Sequence, residues 1–391
     1  MQLAMHISVW AASDSPAEPY WGLYFEAEEA NCVINMSKYG SGTFASISLE
    51  TSPDGTTWTD FDASGSGTTP VTLANIGDKV YFRAKTAIPG PYAPSDKSGN
   101  AYRYFTISKK CGCHGNIMSL IDGSNEANTT IPYTFCFYAL FDSCANLTSA
   151  PDLPATNLKN YCYGSLFWAC SSLASAPIMA STANAPEGVF WYAFSGCSSL
   201  VSPPSLPTVS GSLGKSCYAH MFENCSSLAT APVLSSMSLD QSCYESMFQG
   251  CSSLTTAPDL PATSLPSKCY YWMFYGCTAL TTAPATLPST SVGYESYRGM
   301  FCGCTALTTA PEILATFVRS SGCHSMFTGC SNLSTIRVSL TAWPSASQAL
   351  YYWVDGVAAS GTFYCPAALG TDSTITRDAF HCPSGWTVVN I

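Results

Sequence analysis

Apolar and polar positions in the second half of the chain repeat as one unit. In each copy an aromatic residue is followed by two residues, a cysteine, two small residues and a leucine. Eight copies place that cysteine, here called the column cysteine, at Cys144, Cys170, Cys197, Cys225, Cys251, Cys277, Cys304 and Cys330, in steps of 26 to 28 residues. A fixed period in this range is typical of a solenoid, in which each turn buries its apolar face by stacking on its neighbours.

The first part of each unit predicts an extended segment. In the unit that starts at Cys251, apolar residues recur every three positions at Leu254, Ala257 and Leu260. Pro258 lies among them, and proline is not tolerated inside a helix but is compatible with an edge-like strand. We therefore expect a short strand in each turn.

The second part of each unit predicts a short helix. Cys269, Met273 and Cys277 are spaced by four residues, which places them along one side of a helix. Gly276 then suits a left-handed helix stop. The fold predicted for the repeats is therefore a mixed α/β solenoid with short strands and short helices.

The N-terminal region, residues 1–110, lacks the repeat. Trp21, Leu23 and Phe25 alternate with smaller residues, and the turn sequence Ser52-Pro53-Asp54-Gly55 follows a second alternating run. Alternation of period two with turn residues about every ten positions is typical of antiparallel strands. We predict a small all-β sandwich domain that serves as an anchor or spacer.

The remaining boundaries follow from where the repeat begins and ends. Residues 111–135 are expected to form a junction and N-terminal cap, and residues 136–336 the eight-turn solenoid. Residues 337–391 break the period and are rich in tryptophan, tyrosine and proline. Because an open solenoid end exposes an apolar face, we expect this segment to be a C-terminal cap.

Composition excludes two classes of partner. Charged residues make up 10% of the chain against about 25% in typical proteins, and the formal net charge is −10. Without a basic run, no nucleic-acid partner is expected. No stretch approaches the roughly 20 apolar residues of a membrane-spanning helix. Met1 to Ala12 carry no lysine or arginine, so no secretory signal is predicted there.

The 20 cysteines fall mostly in two columns. The earlier column, eight residues before the column cysteines, consists of Cys136, Cys162, Cys217, Cys243 and Cys269. Eight residues along a helix span about 12 Å, too far for a disulfide within one repeat. We interpret both columns as buried thiols that act as small apolar residues. Lateral disulfides between adjacent turns are the alternative.

Metal chemistry has one candidate, the segment Cys111-Gly112-Cys113-His114. Zinc sites usually have a two-residue spacer and a second half elsewhere, and neither is present here. We therefore predict a turn at the junction and no metal site.

Catalysis has no convincing candidate in the sequence. Neither His220 nor His324 has a serine or cysteine partner at a spacing that indicates a nucleophilic triad. Asp152, Asp259 and Glu312 share one column of the repeat, but apolar and small residues occupy the same column in other turns. We expect neither enzymatic activity nor a cofactor.

Binding has a better candidate on the helical part of the repeat. Positions two, five and six residues before the column cysteine vary from copy to copy and are expected to face outward. The aromatic residues at these positions are Trp168, Trp191, Tyr192, Tyr271, Trp272 and Tyr275. Exposed aromatic rings on a rigid array can stack on sugars or anchor a protein. Packing of the same rings against the next turn or the N-terminal domain is the alternative.

The unit LTTAPDLP…CYYWMFYGCTAL resembles the BspA-type leucine-rich repeat of bacterial surface proteins. The cysteine-rich array between a small β domain and a Trp-containing tail also resembles proteins of gut Bacteroides-type bacteria and their phages. These resemblances imply adhesion or host-surface contact rather than catalysis.

We therefore expect a bacteriophage virion surface protein, a head or tail fibre or appendage, that attaches to a bacterial surface glycan or protein. Its N-terminal domain would contact other virion proteins, and a homo-oligomer, either a dimer or a trimer, is left open. Two alternatives remain: an exported bacterial adhesin of the BspA type, cell-surface or secreted, and a structural virion decoration without a ligand.

Overall fold

The computed structural model describes residues 22–94, 101–123, 128–182, 184–209 and 211–391. Trp21 and the segment Met1–Ala12, which entered the sequence predictions, lie outside the described residues. Among the described residues, no helix reaches the length and apolarity that crossing a membrane requires.

The N-terminal region forms two sheets. Its strands are β1 (Leu23–Ala27), β2 (Cys32–Tyr39), β3 (Leu49–Ser52), β4 (Thr59–Phe61), β5 (Val71–Leu73), β6 (Lys79–Ala84), β7 (Tyr102–Ile107) and β8 (Cys111–His114). One sheet has the order β4-β3-β6-β1-β8 and continues into β9 (Leu147–Ser149), while the other has the order β5-β2-β7. Helix α1 (Ser119–Asp122) follows β8.

Alternating side chains of both sheets share one core, as the period-two pattern predicts. The ring of Phe105 on β7 lies 5.1 Å from that of Phe25 and 5.2 Å from that of Phe82. The same ring stacks at 5.5 Å on Phe141 of the first repeat. Since β8 also pairs with β9 of the repeats, a self-contained sandwich is not confirmed. The N-terminal sheets and the solenoid share a continuous core.

The predicted short helices of the repeats are wrong. The ten residues that end at each column cysteine, here called the turn segment, form consecutive tight turns. In the segment that ends at Cys251, the Met247 N–H donates to the Tyr244 carbonyl at 3.3 Å, three residues back. The next N–H, that of Phe248, donates instead to Met273 of the following turn at 2.9 Å. Every second amide thus stitches neighbouring turns together.

A left-handed residue at every fourth position produces this geometry. It occurs one, five and nine residues before the column cysteine, as at Ser242 (φ 58°), Ser246 (φ 51°) and Gly250 (φ 73°). Side chains therefore point inward and outward in alternating pairs. A period of four nearly equals the 3.6-residue period of a helix, which explains why the sequence pattern predicted one. Among the described residues, the one α-helix is α1, which precedes the repeats.

Two ladders of aromatic rings run through the core. Phe141, Phe167, Phe194, Phe222, Phe248, Phe274, Phe301 and Phe327 stack with centroids 5.3 to 5.8 Å apart. The second ladder consists of Tyr92, Phe137, Tyr163, Phe190, Tyr218, Tyr244, Tyr270 and Tyr297, at 5.6 to 6.1 Å. The first ladder begins at Phe141, which stacks on Phe105 of β7, and the second begins at Tyr92. Phe105 and Tyr92 both belong to the N-terminal region, which therefore closes the open end of the solenoid.

The column cysteines are free thiols that hydrogen-bond across turns. The Cys251 S–H donates to the Phe222 carbonyl of the preceding turn at 3.0 Å, and that carbonyl also accepts the Cys225 N–H. All eight column cysteines make the equivalent S–H bond, at 2.9 to 3.2 Å. Each thiol thus satisfies a second lone pair of a buried carbonyl. The 20 cysteines are unpaired, and Cys302 is the half-buried one.

The extended parts of the repeats form regular strands mainly in the last turns. These are β10 (Thr286–Leu287), β11 (Ser291–Val292), β12 (Thr309–Ile313), β13 (Phe317–Val318) and β14 (Thr335–Val338). All pairs among them are parallel. Earlier turns contain isolated bridges such as Thr256↔Thr282. Proline explains why regular strands form in few turns. The register of β12 shifts around Pro311, which has no N–H to donate.

The C-terminal segment continues the solenoid and then covers its edge. The left-handed pattern recurs once more at Gln348, Tyr352 and Gly356. Strands β15 (Thr362–Cys365) and β16 (Thr387–Asn390) extend the parallel sheet of β10, β12 and β14. At this edge the Val388 N–H donates to the Asp372 carboxylate at 2.8 Å. An exposed strand edge invites association, so this contact protects it.

Candidate functional site

The outward residues of the turn segments form one continuous surface, here called the turn face. Its residues lie one, two, five, six and nine positions before the column cysteines. Neighbouring turns keep the same register because of bonds such as Ser165 N–H to Trp191 carbonyl at 2.7 Å. The backbone ladder therefore places equivalent side chains in line along the solenoid axis.

The structure places all six predicted binding residues on the turn face, in two separate groups. Trp168, with 43% of its surface exposed, and Tyr275, with 40%, are the most accessible. Trp191 and Tyr192 are half-buried, as are Tyr271 and Trp272. The first group belongs to the turns ending at Cys170 and Cys197 and the second to the turn ending at Cys277, so two turns separate them.

The first group is aromatic and acidic. The rings of Trp191 and Tyr192 lie 4.6 Å apart, and Tyr192 stacks on His220 at 4.2 Å with an angle of 4° between the ring planes. His220 in turn contacts Glu223, with 3.1 Å between Nδ1 and Oε2. Burial, reinforced by the negative charges of Glu223 and Glu245, raises the pKa of Tyr192 to about 12. The Tyr192 hydroxyl is therefore a neutral donor at ordinary pH.

The second group lies beside paired charges. Trp272 is 5.4 Å from Tyr275 and 4.8 Å from Tyr271, measured between ring centroids. Lys268 and Arg298 both contact the buried carboxylate of Glu295, at 3.4 and 2.5 Å. Both cations are thus held close to this carboxylate.

Trp272 owes its position to the absence of a side chain in the next turn. A Cβ added at Gly299 would lie 2.3 Å from the Trp272 Cδ1 atom. The indole therefore lies against Gly299, with its Cδ1 and Nε1 atoms nearest. The half-buried rings of the turn face pack partly on the following turn, whereas Trp168 and Tyr275 present free surface.

Sequence reasoning missed an aromatic extension at the N-terminal end. Tyr39 on β2, 56% exposed, stacks on Tyr102 of β7 at 5.4 Å. Ring contacts continue from Tyr102 through Tyr138, Phe135 and Tyr161 to Trp191, with centroids 5.0 to 6.2 Å apart. Phe135 and Tyr161 lie nine residues before a column cysteine, an outward position that the helical interpretation did not include. The link to Tyr39 depends on tertiary contact and has no sequence signal.

A further aromatic cluster lies at the C-terminal end of the turn face. Tyr351 is 4.3 Å from Tyr352 and 5.2 Å from both Phe380 and His324, between ring centroids. His324 follows a cysteine, as the ladder residues Tyr218, Tyr244 and Tyr270 do, but Cys323 takes the buried place of the ladder and His324 faces outward. Cys323 lies seven residues before Cys330, whereas the cysteines of the earlier column lie eight residues before theirs.

The metal and catalytic candidates are not brought together into a site. The segment Cys111–His114 is strand β8 rather than the predicted junction turn. Cys111 and Cys113 are buried, and burial lowers the pKa of His114, whose ring packs 5.2 Å from Tyr24. Within the described ranges, no group of three or more His, Cys, Asp or Glu side chains has a metal-binding arrangement. Glu312 pairs with Arg337 at 2.8 Å.

Comparison with known proteins gives one distant structural match. No protein-family model matches the chain, and no curated protein matches it. The crystal structure of a leucine-rich repeat protein from Bacteroides ovatus ATCC 8483 matches with 14% sequence identity and a TM-score of 0.31. That alignment covers 79% of this chain and 95% of the other. The repeat solenoid itself is evident from the stacked turns described above.

Proposed function

We propose that the chain is a surface protein of a bacteriophage virion, a head or tail fibre or appendage, that attaches to a bacterial surface glycan or protein. The observation that carries the proposal is the turn face, where accessible aromatic rings stand on a rigid backbone ladder. Attachment through this surface requires no catalytic group and no cofactor.

The physical basis is aromatic stacking at low entropic cost. Tryptophan and tyrosine offer large contact areas with few rotatable bonds. The Trp272 ring is already held over Gly299, so little side-chain freedom is lost when it binds. Glu223 and Glu245 beside the first group can accept hydrogen bonds from sugar hydroxyls.

Multivalency would supply the strength that a flat surface lacks. A single turn face without a deep pocket buries little of a ligand. Many copies on one particle raise the effective concentration of the second and later contacts. In this proposal the N-terminal region contacts other virion proteins, and the solenoid is displayed outward.

Binding is tested with matched variants of the purified chain. We expect the double variant Trp168→Ala, Tyr275→Ala to lose at least tenfold in affinity for the host's surface polysaccharide or envelope proteins. Phe317→Ala is the control, because Phe317 is an exposed aromatic residue, at 56%, but lies on β13 away from the turn face. Equal loss in both variants, or no binding by the unaltered chain, contradicts the proposal.

The location is tested by mass spectrometry of intact virions and of outer-membrane fractions from the source culture. Repeat peptides in particles at a defined stoichiometry support the virion assignment. Peptides found solely in cell envelopes would favour an exported bacterial adhesin of the BspA type instead.

A structural virion decoration without a ligand is the second candidate. The ring contacts from Tyr39 to His220 favour it, since these aromatic residues already satisfy one another. In that case the double variant would alter particle assembly or oligomer formation and leave adsorption to the host unchanged. Cross-linking of the purified chain and adsorption assays separate the two outcomes.

A further inference from the structure

Accessible aromatic rings recur along the whole length of the turn face rather than at one place. Trp168 and Tyr275 occupy the same position of the repeat, two residues before Cys170 and Cys277. Four steps of the phenylalanine ladder, each 5.3 to 5.8 Å, separate their turns, or about 22 Å along the ladder. Exposed rings also lie beyond both ends, at Tyr39 and Tyr352.

The shape of the turn face suits an extended ligand. The turn segments of adjacent turns are hydrogen-bonded in a constant register, as between Tyr192 N–H and the Ala219 carbonyl at 3.1 Å, so the rings lie in line along the axis. The prolines Pro204 and Pro232 line a cavity of about 360 Å³, but this cavity is on the extended side of the repeat. The exposed rings of Trp168 and Tyr275 therefore suit an extended ligand better than a terminal sugar that must be enclosed.

The charge of the turn face disfavours an anionic ligand. Glu223 and Glu245 lie between the two aromatic groups in sequence and add negative charge to this surface. The nearby cations Lys268 and Arg298 are both paired with Glu295. Carboxylates and tyrosine hydroxyls remain to hydrogen-bond with neutral hydroxyl groups, while a polyanion would be repelled.

We infer that the turn face binds a linear, uncharged polysaccharide that lies along the solenoid axis and contacts Trp168 and Tyr275 simultaneously. This inference rests on the proposed attachment function and specifies its ligand. The two aromatic groups act as tethered sites on one polymer, so occupation of the first raises the effective concentration of the polymer at the second.

The experiment uses the neutral surface polysaccharide of the host, partly hydrolysed and separated by size, with polygalacturonate of matched length as the anionic probe. Affinities are measured by calorimetry for the unaltered chain and for the single variants Trp168→Ala, Tyr275→Ala and Phe317→Ala. We expect affinity to rise at least tenfold once fragments span about 22 Å, and then to level off. Each turn-face variant should remove that gain and change the affinity of short fragments less than twofold.

The outcomes distinguish this inference from the function on which it rests. Affinity that is independent of fragment length, or that depends on Trp168 alone, overturns the extended-ligand inference and leaves attachment intact. Stronger binding of polygalacturonate overturns the assignment of an uncharged ligand. Absence of binding by every fraction overturns the inference, and the attachment function is then decided by the binding assay with envelope proteins described above. Phe317→Ala should match the unaltered chain throughout.

Discussion

Inner and outer positions of the same turn segment tolerate very different sequences. Three residues before the column cysteine, all eight repeats have phenylalanine. Five residues before it, on the turn face, the residues are Ala139, Ser165, Tyr192, His220, Ser246, Trp272, Gly299 and Ser325. All eight of these adopt the same left-handed conformation. The fold thus specifies the backbone at the outer position but leaves the side chain free to vary.

The difference follows from what each position must satisfy. An inner phenylalanine stacks on two neighbours and its carbonyl accepts an S–H bond from the next turn, as Phe222 does from Cys251. An outer residue has to tolerate a positive φ, which costs about 1–2 kcal/mol for a non-glycine residue. Stability therefore resides in the inner columns, and recognition can vary on the turn face without loss of the scaffold.

The largest expected effect on the inner columns is that of alkaline pH. Burial raises the pKa of Cys225, Cys277 and Cys330 from 9.0 to about 12. The folded state holds these protons more tightly than the unfolded state does, so above pH 9 the free energy of unfolding falls by about 1.4 kcal/mol per thiol and pH unit. The other five column thiols are shifted in the same direction.

Summed over eight thiols, this loss at pH 10 is comparable to the usual stability of about 5–15 kcal/mol. We therefore expect cooperative unfolding near pH 10, measured by far-UV circular dichroism, and recovery on return to pH 8 under reducing conditions. The pKa values predict no such loss between pH 7 and 8.5. A chain that stays folded at pH 12 would show that the columns are not free thiols, which would favour the lateral disulfides.

Removal of one inner ring is expected to have the next largest effect. Phe248→Ala interrupts the ladder between Phe222 and Phe274 and should cost about 3–5 kcal/mol, because the closely packed core cannot fill the cavity. Urea unfolding measures the change. The exposed aromatic control Phe317→Ala should stay within about 0.5 kcal/mol of the unaltered chain. Similar losses in both would contradict the division between inner and outer positions.

Two cysteines of one turn provide a sharper comparison. The Cys304 S–H donates to the Phe274 carbonyl at 3.1 Å, whereas Cys302 is half-buried on the turn face. Cys304→Ala should cost about 1–2 kcal/mol through the lost hydrogen bond and small cavity, and Cys302→Ala less than about 0.5 kcal/mol. Urea midpoints compare the two variants. Equal urea midpoints would contradict the explanation that cysteine occupies this column because of its S–H hydrogen bond.

The repeat spacing was enough to predict the solenoid and its buried columns. The regular recurrence of phenylalanine, cysteine and leucine indicates stacked turns, because equivalent residues of adjacent turns must be in contact. The conformation of the turn segment was not predictable in the same way. Pairs such as Cys269 with Tyr270 and Met273 with Phe274 face inward every four residues, which a helix would also produce. Glycine at two of the left-handed positions of one repeat, Gly299 and Gly303, was the missed signal.

The candidate site was predictable only where it depended on the repeat. Trp168 and Tyr275 occupy a variable position and proved accessible. Packing of Tyr192 against the next turn was one of the two alternatives, but its partner there, His220, could not be predicted from the sequence. The connection between Tyr39 and Tyr102 joins strands that are 63 residues apart and follows from strand pairing alone.

The smallest expected effects separate backbone strain from ring placement. Gly276 and Gly299 both have positive φ, but a Cβ at Gly276 meets no atom within 4 Å, whereas one at Gly299 would collide with Trp272. Gly276→Ala should therefore cost about 1 kcal/mol of stability from backbone strain alone and leave tryptophan fluorescence unchanged. Gly299→Ala should cost more and shift the emission of Trp272 to longer wavelength, because the displaced ring enters solvent. Identical spectra for the two variants would show that the indole does not lie over Gly299, and the turn face would then lack the fixed ring on which low-entropy binding depends.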